Sequence, residues 1–519
     1  MKTVKIVGID LGTTNSTVSY KNDAGIVELI PNLEGDLKTP SIVSYNEGKP
    51  IVGKAAKPDL VLSPEHVVTH GKRQMSESDS DDKPIPILTD PSGAQITPVD
   101  FSAAIISYLK KSAEVHLGCE VDSLVVTVPA YFKEFARRNT IAAAVIAGFK
   151  EDNVKLLDEP VSAAIYYGLE KARNERIVVV DFGGGTLDIS VIEINGTNIK
   201  AIITDGDSEL GGSNYTEAML NDMDAAGKRA GFDISADLAT FYQNRDKARE
   251  AKEMLARRDS VTLIPQADGQ RTSLSYTRQM LQESCKDFDE RFLKCCKRVK
   301  AEVEKRGLKI DRVVLVGGST RLPHVPLMVE SVFAIEPSKD TDPDYVVAKG
   351  AAVWAQNKFG DPSKNIIVGS NQYLASEIKV QTVAAHAICV AAHRDKNDSN
   401  EYNCPIVPAN SPLPHDFQER FSPLSPAQTS VDVKLIQGKE HELSKNSTLL
   451  RRINVPIKPS DQDGNRICIN GKYTEQGILE ITITDDLLGK PISDSFVHKA
   501  GLSDTEIEKK TNHLKDADK

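Results

Sequence analysis

Apolar and polar positions repeat one pattern at two distant places in the chain. The first copy reads Ile6-Val-Gly-Ile-Asp10-Leu-Gly12-Thr-Thr14, and the second reads Val178-Val-Val-Asp181-Phe-Gly183-Gly-Gly-Thr186. In each copy a short apolar run ends in Asp, turns through glycine to threonine, and is followed by a second apolar run, at 16–20 and 189–194. The pattern predicts two β-hairpins.

The two turns have the composition of a phosphate-binding site. Glycine lets the backbone approach a ligand closely, so that amide N–H groups and threonine hydroxyls can point at phosphate oxygens. Asp10 and Asp181 would repel a phosphate, so their natural partner is a cation that bridges to it. Either copy alone also fits an ordinary turn. Because the pattern is repeated, we expect two related halves whose hairpins clamp one polyphosphate.

The remaining pattern divides the chain in two. Up to about Gly360, strand-like and helix-like runs alternate, which predicts an α/β fold. An apolar stripe at helical spacing between Thr277 and Arg306 predicts core packing rather than a cofactor site. From about Val380 to Ser495, short strands alternate with a period of two and are separated by Gly, Pro and Asn turns, which predicts a separate β-sandwich.

The composition narrows the function classes. A chain of 519 residues is too long for one core and predicts three or four structural units. The formal net charge of -10 argues against a nucleic-acid-binding surface. No apolar run approaches the length of a membrane span and no signal sequence is apparent, so we expect a cytoplasmic protein without membrane contact. The 7 cysteines form no Cys-x-x-Cys pair, and we expect reduced thiols.

Further motifs follow in a fixed order. They are Gly8-Ile-Asp-Leu-Gly-Thr-Thr-Asn15, Asn32-Leu-Glu-Gly-Asp-Leu-Lys-Thr-Pro40, Thr127-Val-Pro-Ala-Tyr-Phe132, Asp158-Glu-Pro160, Asp181-Phe-Gly-Gly-Gly-Thr-Leu-Asp188, Leu210-Gly-Gly212, Val316-Gly-Gly-Ser-Thr-Arg321, and Asp342-Pro-Asp344 with Gly350-Ala-Ala352. With these motifs the chain resembles the Hsp70 chaperone family over nearly its full length. By this resemblance we expect a lid-truncated or divergent member of the family.

The resemblance implies a fold and a domain order. We expect a two-lobed, actin-like (ribonuclease H-like) α/β ATPase domain over residues 1–360 and an interdomain linker over 361–382. A β-sandwich peptide-binding domain over 383–500 and a short helical stub of the lid over 501–519 would follow. The stub opens with Ser503-Asp-Thr-Glu506, a capping box, and spans barely four turns, so it needs a docking surface to be stable.

The resemblance also implies ligands and site residues. ATP or ADP would bind with Mg²⁺ and an associated monovalent cation such as K⁺. Asp10 and Asp181 would hold the Mg²⁺ through water, and Asp188 would lie near the monovalent cation. The residues implied to be catalytic are Lys72, Glu159, Asp181 and Thr186. The residues implied to bind the nucleotide are Gly12, Thr13, Thr14, Asn15, Gly183, Gly184, Gly185, Gly211, Gly212, Lys252, Gly317, Gly318, Ser319, Arg321 and Asp344.

Lys72 carries the most specific chemistry of this set. A fixed ammonium would stabilise the charge that builds on the γ-phosphoryl oxygens as the bond breaks. Its match rests on Gly71-Lys72-Arg73, whereas the flanking residues depart from the family pattern. The alternative interpretation is a solvated loop lysine.

The chain departs from the family where the adenosine should lie. By resemblance, one helix supplies a guanidinium over the base and a serine hydroxyl. Glu253 and Ala256 occupy those places here, and neither can replace the lost contact. Such losses predict an affinity 10- to 1000-fold weaker on the general scale for such contacts, unless Lys252 compensates or the helix is shifted by a turn.

Coupling and peptide binding are also implied by resemblance. Pro129 and Arg137 would switch the second domain. In place of the family's short stretch of leucines between acidic residues, this chain has Asn365-Ile-Ile-Val-Gly-Ser370 and Ile378-Lys-Val-Gln-Thr-Val383, so we expect coupling to be less secure than ATP binding. Val390, Phe421 and Val431 match positions that line a peptide pocket, and His393 and Leu424 match an arch over the peptide. All five also fit ordinary sandwich core.

The sequence thus predicts an ATP-dependent chaperone, a slow ATPase stimulated by partners, that binds extended apolar peptides. A J-domain co-chaperone and a nucleotide-exchange factor would be partners by resemblance. The alternative is an Hsp70-related, non-catalytic scaffold or co-chaperone with weak or static nucleotide binding. A sugar kinase of the same superfamily would explain the hairpins but not the β-sandwich.

Overall fold

A computed structural model describes residues 5–79, 83–338, 342–395, 397–460, 464–489, 491–495 and 502–517. Residues 496–501, where the predicted β domain meets the predicted helical stub, lie outside the described residues. Over the part of the chain that is described, no helix has both the length and the apolar character needed to cross a bilayer.

The strands and helices are as follows in chain order. Strands β1–β14 are Lys5–Asp10, Asn15–Lys21, Val27–Ile30, Thr39–Pro40, Ile42–Ser44, Ile51–Val52, Val67–Thr69, Leu88–Thr89, Gln95–Ile96, Val121–Val128, Val154–Asp158, Glu175–Phe182, Leu187–Asn195 and Asn198–Asp207. Strands β15–β22 are Ser260–Leu263, Gln266–Ala267, Gln270–Arg271, Leu274–Thr277, Arg312–Val316, Asn365–Val368, Asn371–Leu374 and Lys379–Gln381. Strands β23–β30 are Ala387–Ala392, Tyr402–Val407, His415–Phe421, Ser430–Gly438, Thr448–Pro456, Ile467–Tyr473, Leu479–Asp485 and Pro491–Ser495. Helices α1–α11 are Asp59–Leu62, Pro98–Leu117, Glu134–Ile146, Glu159–Lys171, Gly212–Arg229, Leu238–Leu255, Arg278–Ser284, Lys286–Lys305, His324–Phe333, Val346–Phe359 and Asp504–Ala517. The 3₁₀ helices are Gly53–Ala56, Pro64–His66, Gly71–Ser76, Glu151–Asn153, Gly318–Arg321, Ala375–Glu377 and Ser444–Asn446.

Two mixed sheets repeat one topology. The first has the order β11-β10-β1-β2-β3, and the second has the order β19-β12-β13-β14-β22. In each sheet a glycine hairpin, β1–β2 or β12–β13, pairs antiparallel within itself and parallel with one neighbour, β10 or β19. Both predicted hairpins are therefore confirmed, and each sheet carries one at the same place.

Helices cover these sheets and form three cores. Helices α2 and α3 pack on the first sheet, and α5, α6 and α8 pack on the second. A third core, shared by both sheets, contains α4 and α10. The backbones approach very closely there, since a Cβ on Gly8 would lie 2.2 Å from the backbone nitrogen of Ala352 and one on Gly350 would lie 1.8 Å from the carbonyl oxygen of Ser162. Only glycine fits at either place.

The C-terminal part has the predicted β pattern. Two four-stranded sheets, β24-β23-β26-β27 and β25-β28-β29-β30, lie over one apolar core that extends from Ala384 to Ile483. The chain is thus a mixed α/β fold followed by antiparallel sheets. The predicted linker has its own secondary structure: β20 and β21 form a hairpin, and β22 pairs parallel with β14.

The C-terminal sheets contact the α/β part directly. Lys358 Nζ lies 3.0 Å from Glu475 Oε1, and the backbone N–H of Leu156 donates to Gln476 Oε1 at 3.0 Å. His386 Nε2 lies 2.9 Å from the carbonyl oxygen of Tyr131, and the two rings are 4.0 Å apart. The final helix α11 packs on α3, with Ile507 buried in the first core.

Candidate functional site

The tips of the two glycine hairpins touch each other. A Cβ on Gly184 would lie 2.0 Å from Thr14 Oγ1, and one on Gly185 would lie 2.7 Å from Thr13 Oγ1. The glycines are required here because any larger residue would separate the hairpins. Ser213 ties the next helix to this tip, since its hydroxyl donates to the Gly184 carbonyl at 2.8 Å.

A buried lysine donates to the turn of the first hairpin. Lys72 is 3% exposed, and its Nζ donates to Glu159 Oε1 at 2.6 Å and to the carbonyl oxygen of Leu11. Glu159 is the first residue of α4 and is 8% exposed. The alternative of a solvated loop lysine is therefore wrong, because this ammonium is fixed by a carboxylate and a carbonyl away from solvent.

Three aspartates surround this pair. Burial and the neighbouring Glu159 raise the pKa of Asp10 to about 7, and its Oδ1 accepts a hydrogen bond from Thr127 at 3.1 Å. Burial, with Glu159 and other carboxylates nearby, also raises the pKa of Asp181 and of Asp188. Such a cluster favours a bound cation, which would stabilise the charged carboxylates.

The arrangement fits a cation held through water. Asp188 Oδ1 accepts from the backbone N–H of Tyr131 at 2.7 Å, whereas its buried Oδ2 has no hydrogen-bond partner. Among the described residues, no three His, Cys, Asp or Glu side chains converge in the geometry of direct metal ligands. Mg²⁺ usually keeps several of its waters, so the residues present fit a hydrated ion.

A cleft of about 850 Å³ extends from the hairpins. Most of the predicted nucleotide-site residues line it, and these are Asp10, Gly12, Thr13, Thr14, Asn15, Lys72, Glu159, Asp181, Gly183, Gly184, Thr186, Lys252, Gly317, Gly318, Ser319, Arg321 and Asp344. Four predicted residues do not line the cleft: Gly185, Gly211, Gly212 and Asp188. Gly211 instead packs closely on the backbone of Gly184 and Gly185, whereas Gly185 and Gly212 pack closely on side chains, and Asp188 is fully buried.

The far end of the cleft is rich in charged groups. Lys252 Nζ donates to the Gly212 carbonyl at 2.6 Å, and burial lowers the pKa of Lys252 to about 8. On the other wall Arg321 pairs with Asp344 at 2.6 Å. Glu253 and Ala256, the two predicted departures from the family, also line the cleft.

Sequence reasoning missed several side chains of helix α6 and its neighbours. Arg249 lines the cleft and is held by Asp246 at 2.7 Å and by Glu253 at 2.8 Å. The additional lining residues include Lys38, Tyr242, Arg245, Glu250 and Arg257. Tyr242, Arg245 and Arg249 follow one another at intervals of three and four along α6, and this spacing is the signal that could have placed them on one face.

The predicted coupling residues lie between the cleft and the β sheets. Arg137 is buried and donates to Asp158 Oδ1 at 2.6 Å, to the Ala130 carbonyl at 3.1 Å and to the Gln476 carbonyl at 3.4 Å. Asp158 directly precedes Glu159. Pro129 accepts from the backbone N–H of Phe132 at 3.1 Å, which places the proline in the turn before α3.

Of the predicted peptide-site residues, Val390, Phe421 and Val431 lie in strands of the C-terminal sheets, whereas His393 and Leu424 lie in the loops that follow β23 and β25. Val390 is buried, and Phe421 and Val431 are partly buried against the same core. Leu424 is 50% exposed, and His393 has a buried Nδ1 without a hydrogen-bond partner. Three of the five therefore contribute to the core, and Leu424 and His393 remain available for contact.

Comparisons with known proteins agree on one family. The sequence model described as "Hsp70 protein" matches residues 6–519. The chain is 31% identical over 517 residues to the chaperone protein DnaK of Thermosipho melanesiensis, which covers 97% of this chain and 82% of the relative. The same identity and coverage hold for the chaperone protein DnaK of Thermotoga maritima.

Proposed function

The chain belongs to the Hsp70 family and is an ATP-dependent chaperone with ATPase activity, and we propose that ATP binds with its triphosphate between the two glycine hairpins. The observation that carries this proposal is that the two hairpin tips touch and that the Lys72–Glu159 pair lines the same cleft. Thr13, Thr14, Thr186 and Lys72 therefore line one cleft.

The residues have distinct roles in hydrolysis. Lys72 stabilises the charge that develops on the γ-phosphoryl oxygens, and Glu159 orients the attacking water while it fixes the lysine. Thr13, Thr14 and Thr186 bind phosphate oxygens. Asp10 and Asp181 would hold Mg²⁺ through water, and this ion would neutralise the phosphates. Asp188, with its unpartnered Oδ2, would lie near a monovalent cation.

The nucleoside would lie at the far end of the cleft. Gly317, Gly318 and Ser319 form one wall beside Arg321, and α6 with Lys252 forms the other. Glu253 and Ala256 provide neither a guanidinium nor a hydroxyl to the base, so we expect weaker nucleotide binding than the phosphate end alone would predict.

The coupled domains complete the proposal. The α/β part is a two-lobed, actin-like ATPase domain over residues 1–360, and the sandwich over 383–500 binds extended apolar peptides. The contact of Arg137 with Asp158 and Gln476 supports the route by which the nucleotide state reaches the sandwich. A J-domain protein and a nucleotide-exchange factor are the expected partners, in the cytoplasm.

Calorimetry and single-turnover hydrolysis test this function. We expect ATP to bind at tens of micromolar or tighter, and hydrolysis to accelerate with a J-domain protein and an extended apolar peptide. No detectable binding at tens of micromolar would contradict the proposal and favour a scaffold. That alternative is not favoured, because the lysine, the glutamate and the aspartates that hydrolysis needs all surround one cleft. Phosphorylation of a sugar would contradict both.

A further inference from the structure

Lys72 lies on a 3₁₀ helix that packs on one side of the cleft and has side-chain contacts with the other side near both flanks of the lysine. The helix Gly71–Ser76 belongs to the first sheet's side, since Met75 is fully buried in that core. Helices α5 and α6 belong to the other side, because Tyr215 and Ala248 are buried in the core of the second sheet. Contacts between the 3₁₀ helix and these two helices therefore join the two sides of the cleft.

Arg73, the neighbour of Lys72, makes the first link. Its guanidinium donates to Ser213 Oγ at 2.9 Å, to Asn214 Oδ1 at 3.0 Å and to the Glu209 carbonyl at 2.6 Å. Its stem passes beside Gly185, where a Cβ would lie 3.1 Å from Arg73 Cγ. Ser213 also binds the Gly184 carbonyl, so Arg73 reaches the second hairpin through one side chain.

Arg245 of α6 makes the second link. Its guanidinium pairs with Glu217 Oε1 of α5 at 2.6 Å, and its Nη2 lies 3.5 Å from Nδ1 of His70, which precedes Lys72 by two residues. Burial and the nearby arginines lower the pKa of His70 to about 3, so the ring is neutral and Nδ1 can accept. His70 has a φ of 60°, which few residues other than glycine adopt and which the contacts around it must maintain.

We propose that Arg73 and Arg245 are positioning residues that clasp the cleft and hold Lys72 at the phosphate site. The clasp consists of Arg73 on Ser213 and Asn214, and of Arg245 on His70. Because Lys72 lies between the two links, opening the cleft to release nucleotide also withdraws the ammonium. The proposal rests on the proposed role of Lys72 in ATP hydrolysis.

The test compares Arg73→Gln and Arg73→Lys with the wild-type chain. At saturating ATP we expect Arg73→Gln to slow single-turnover hydrolysis about tenfold and to release a fluorescent ADP analogue about tenfold faster, the scale of losing charge-assisted hydrogen bonds. Arg73→Lys keeps the charge but not the fork, and intermediate values are expected for it. The control Lys228→Gln breaks only the exposed pair with Asp224, 2.6 Å apart in α5, and should change neither rate.

Two further measurements keep the proposal falsifiable. Amide hydrogen exchange in residues 71–76 should accelerate in Arg73→Gln and in Arg245→Gln. This measurement does not require ATP hydrolysis, so it tests the clasp even if the wild-type protein does not hydrolyse ATP. If Arg73→Gln does not fold, Arg245→Gln tests the same prediction from the other side. The proposal is overturned if the variants show unchanged amide hydrogen exchange and hydrolyse ATP and release the ADP analogue at the wild-type rates. It is also overturned if a lowered melting temperature is their only change.

Discussion

At the scale of single residues, burial decides which charged groups can act. Lys72 is 3% exposed and held by Glu159, so its charge does not have to reorganise when charge develops on a phosphate. Lys228, paired with Asp224 on the surface, is screened by water and carries no such role. The two lysines have the same side chain, and only their structural environments distinguish the buried Lys72 from the surface Lys228.

Replacing Lys72 tests its chemistry. We expect Lys72→Ala to retain ATP binding and to lose roughly 100- to 1000-fold in single-turnover hydrolysis, the scale of removing one fixed group that stabilises the transition state. Lys305→Ala, which breaks only a surface pair with Glu302, is the matched control. Hydrolysis within threefold of wild type would contradict the role.

His386 makes the contact between the domains dependent on pH. In the docked arrangement burial, with Lys133 and Arg137 nearby, lowers the pKa of His386 from 6.5 to about 4. The neutral ring therefore favours docking, which is fully stabilised above about pH 6.5 and weakens as the pH falls towards about 4. We expect docking without nucleotide to be about tenfold weaker near pH 5.5 than near pH 7.5.

The fluorescence of the single tryptophan in the sequence can monitor this pH-dependent change in docking. Trp354 lies 4.4 Å beneath the Lys358 ammonium, which pairs with Glu475 of the β sheets. Its fluorescence should change between pH 7.5 and 5.5 in the wild-type chain. His386→Gln can still bind the Tyr131 carbonyl but does not titrate, so an equal change in this variant would contradict the assignment.

At the scale of elements, the apolar stripe of 277–306 shows what periodicity can predict. It is confirmed as core, since Leu281, Phe292 and Val299 are buried. The stripe did not predict the break at Cys285 between α7 and α8, because one apolar face can continue across a local change of backbone.

The turn between β28 and β29 is the element that contacts Arg137. Gly477 has a φ of 69°, and a Cβ there would lie 3.0 Å from Arg137 Cδ. We expect Gly477→Ala to reduce the stimulation of ATP hydrolysis by peptide severalfold, because the turn would be pushed away from the arginine. The substitution should also lower the free energy of unfolding by about 1 kcal/mol, because alanine disfavours the left-handed backbone conformation.

Gly489→Ala separates these two effects. Gly489 has a φ of 62° in the connection between β29 and β30 of the same sheet, and no atom of the described residues lies within 4 Å of its added Cβ. The backbone cost is shared, so both variants should lose similar thermal stability. Only Gly477→Ala should lose stimulation by peptide, and an equal loss in both would argue against the contact.

At the scale of the whole molecule, polar contacts hold the sheets against the α/β part. The Lys358–Glu475 pair is 3.0 Å apart and partly exposed, so it contributes little by itself but specifies the docked orientation.

A charge swap tests this orientation. We expect Lys358→Glu and Glu475→Lys each to weaken docking by roughly threefold, measured by small-angle scattering, and the double variant to restore it. Two single effects that simply add in the double variant would show that the pair does not interact in solution.

The sequence by itself determined the two glycine hairpins, the α/β pattern and the following β sheets, because turn chemistry and hydrophobic periodicity are local properties. Together with the family resemblance of its motifs, it named 17 of the residues that line the cleft. Four of the residues it assigned to the nucleotide and its ions do not line that cleft. Three are glycines, and a glycine motif does not indicate whether it faces a ligand or other protein atoms; the fourth, Asp188, is fully buried.

Only the tertiary structure decided the environment of these residues. It buried Lys72 beside Glu159 from 87 positions away, and it brought Arg73 to Ser213 across 140 positions. It also placed His386 against Tyr131, 255 positions apart. Such contacts depend on how sheets and helices pack around shared cores, and that packing leaves no periodic signal in the chain.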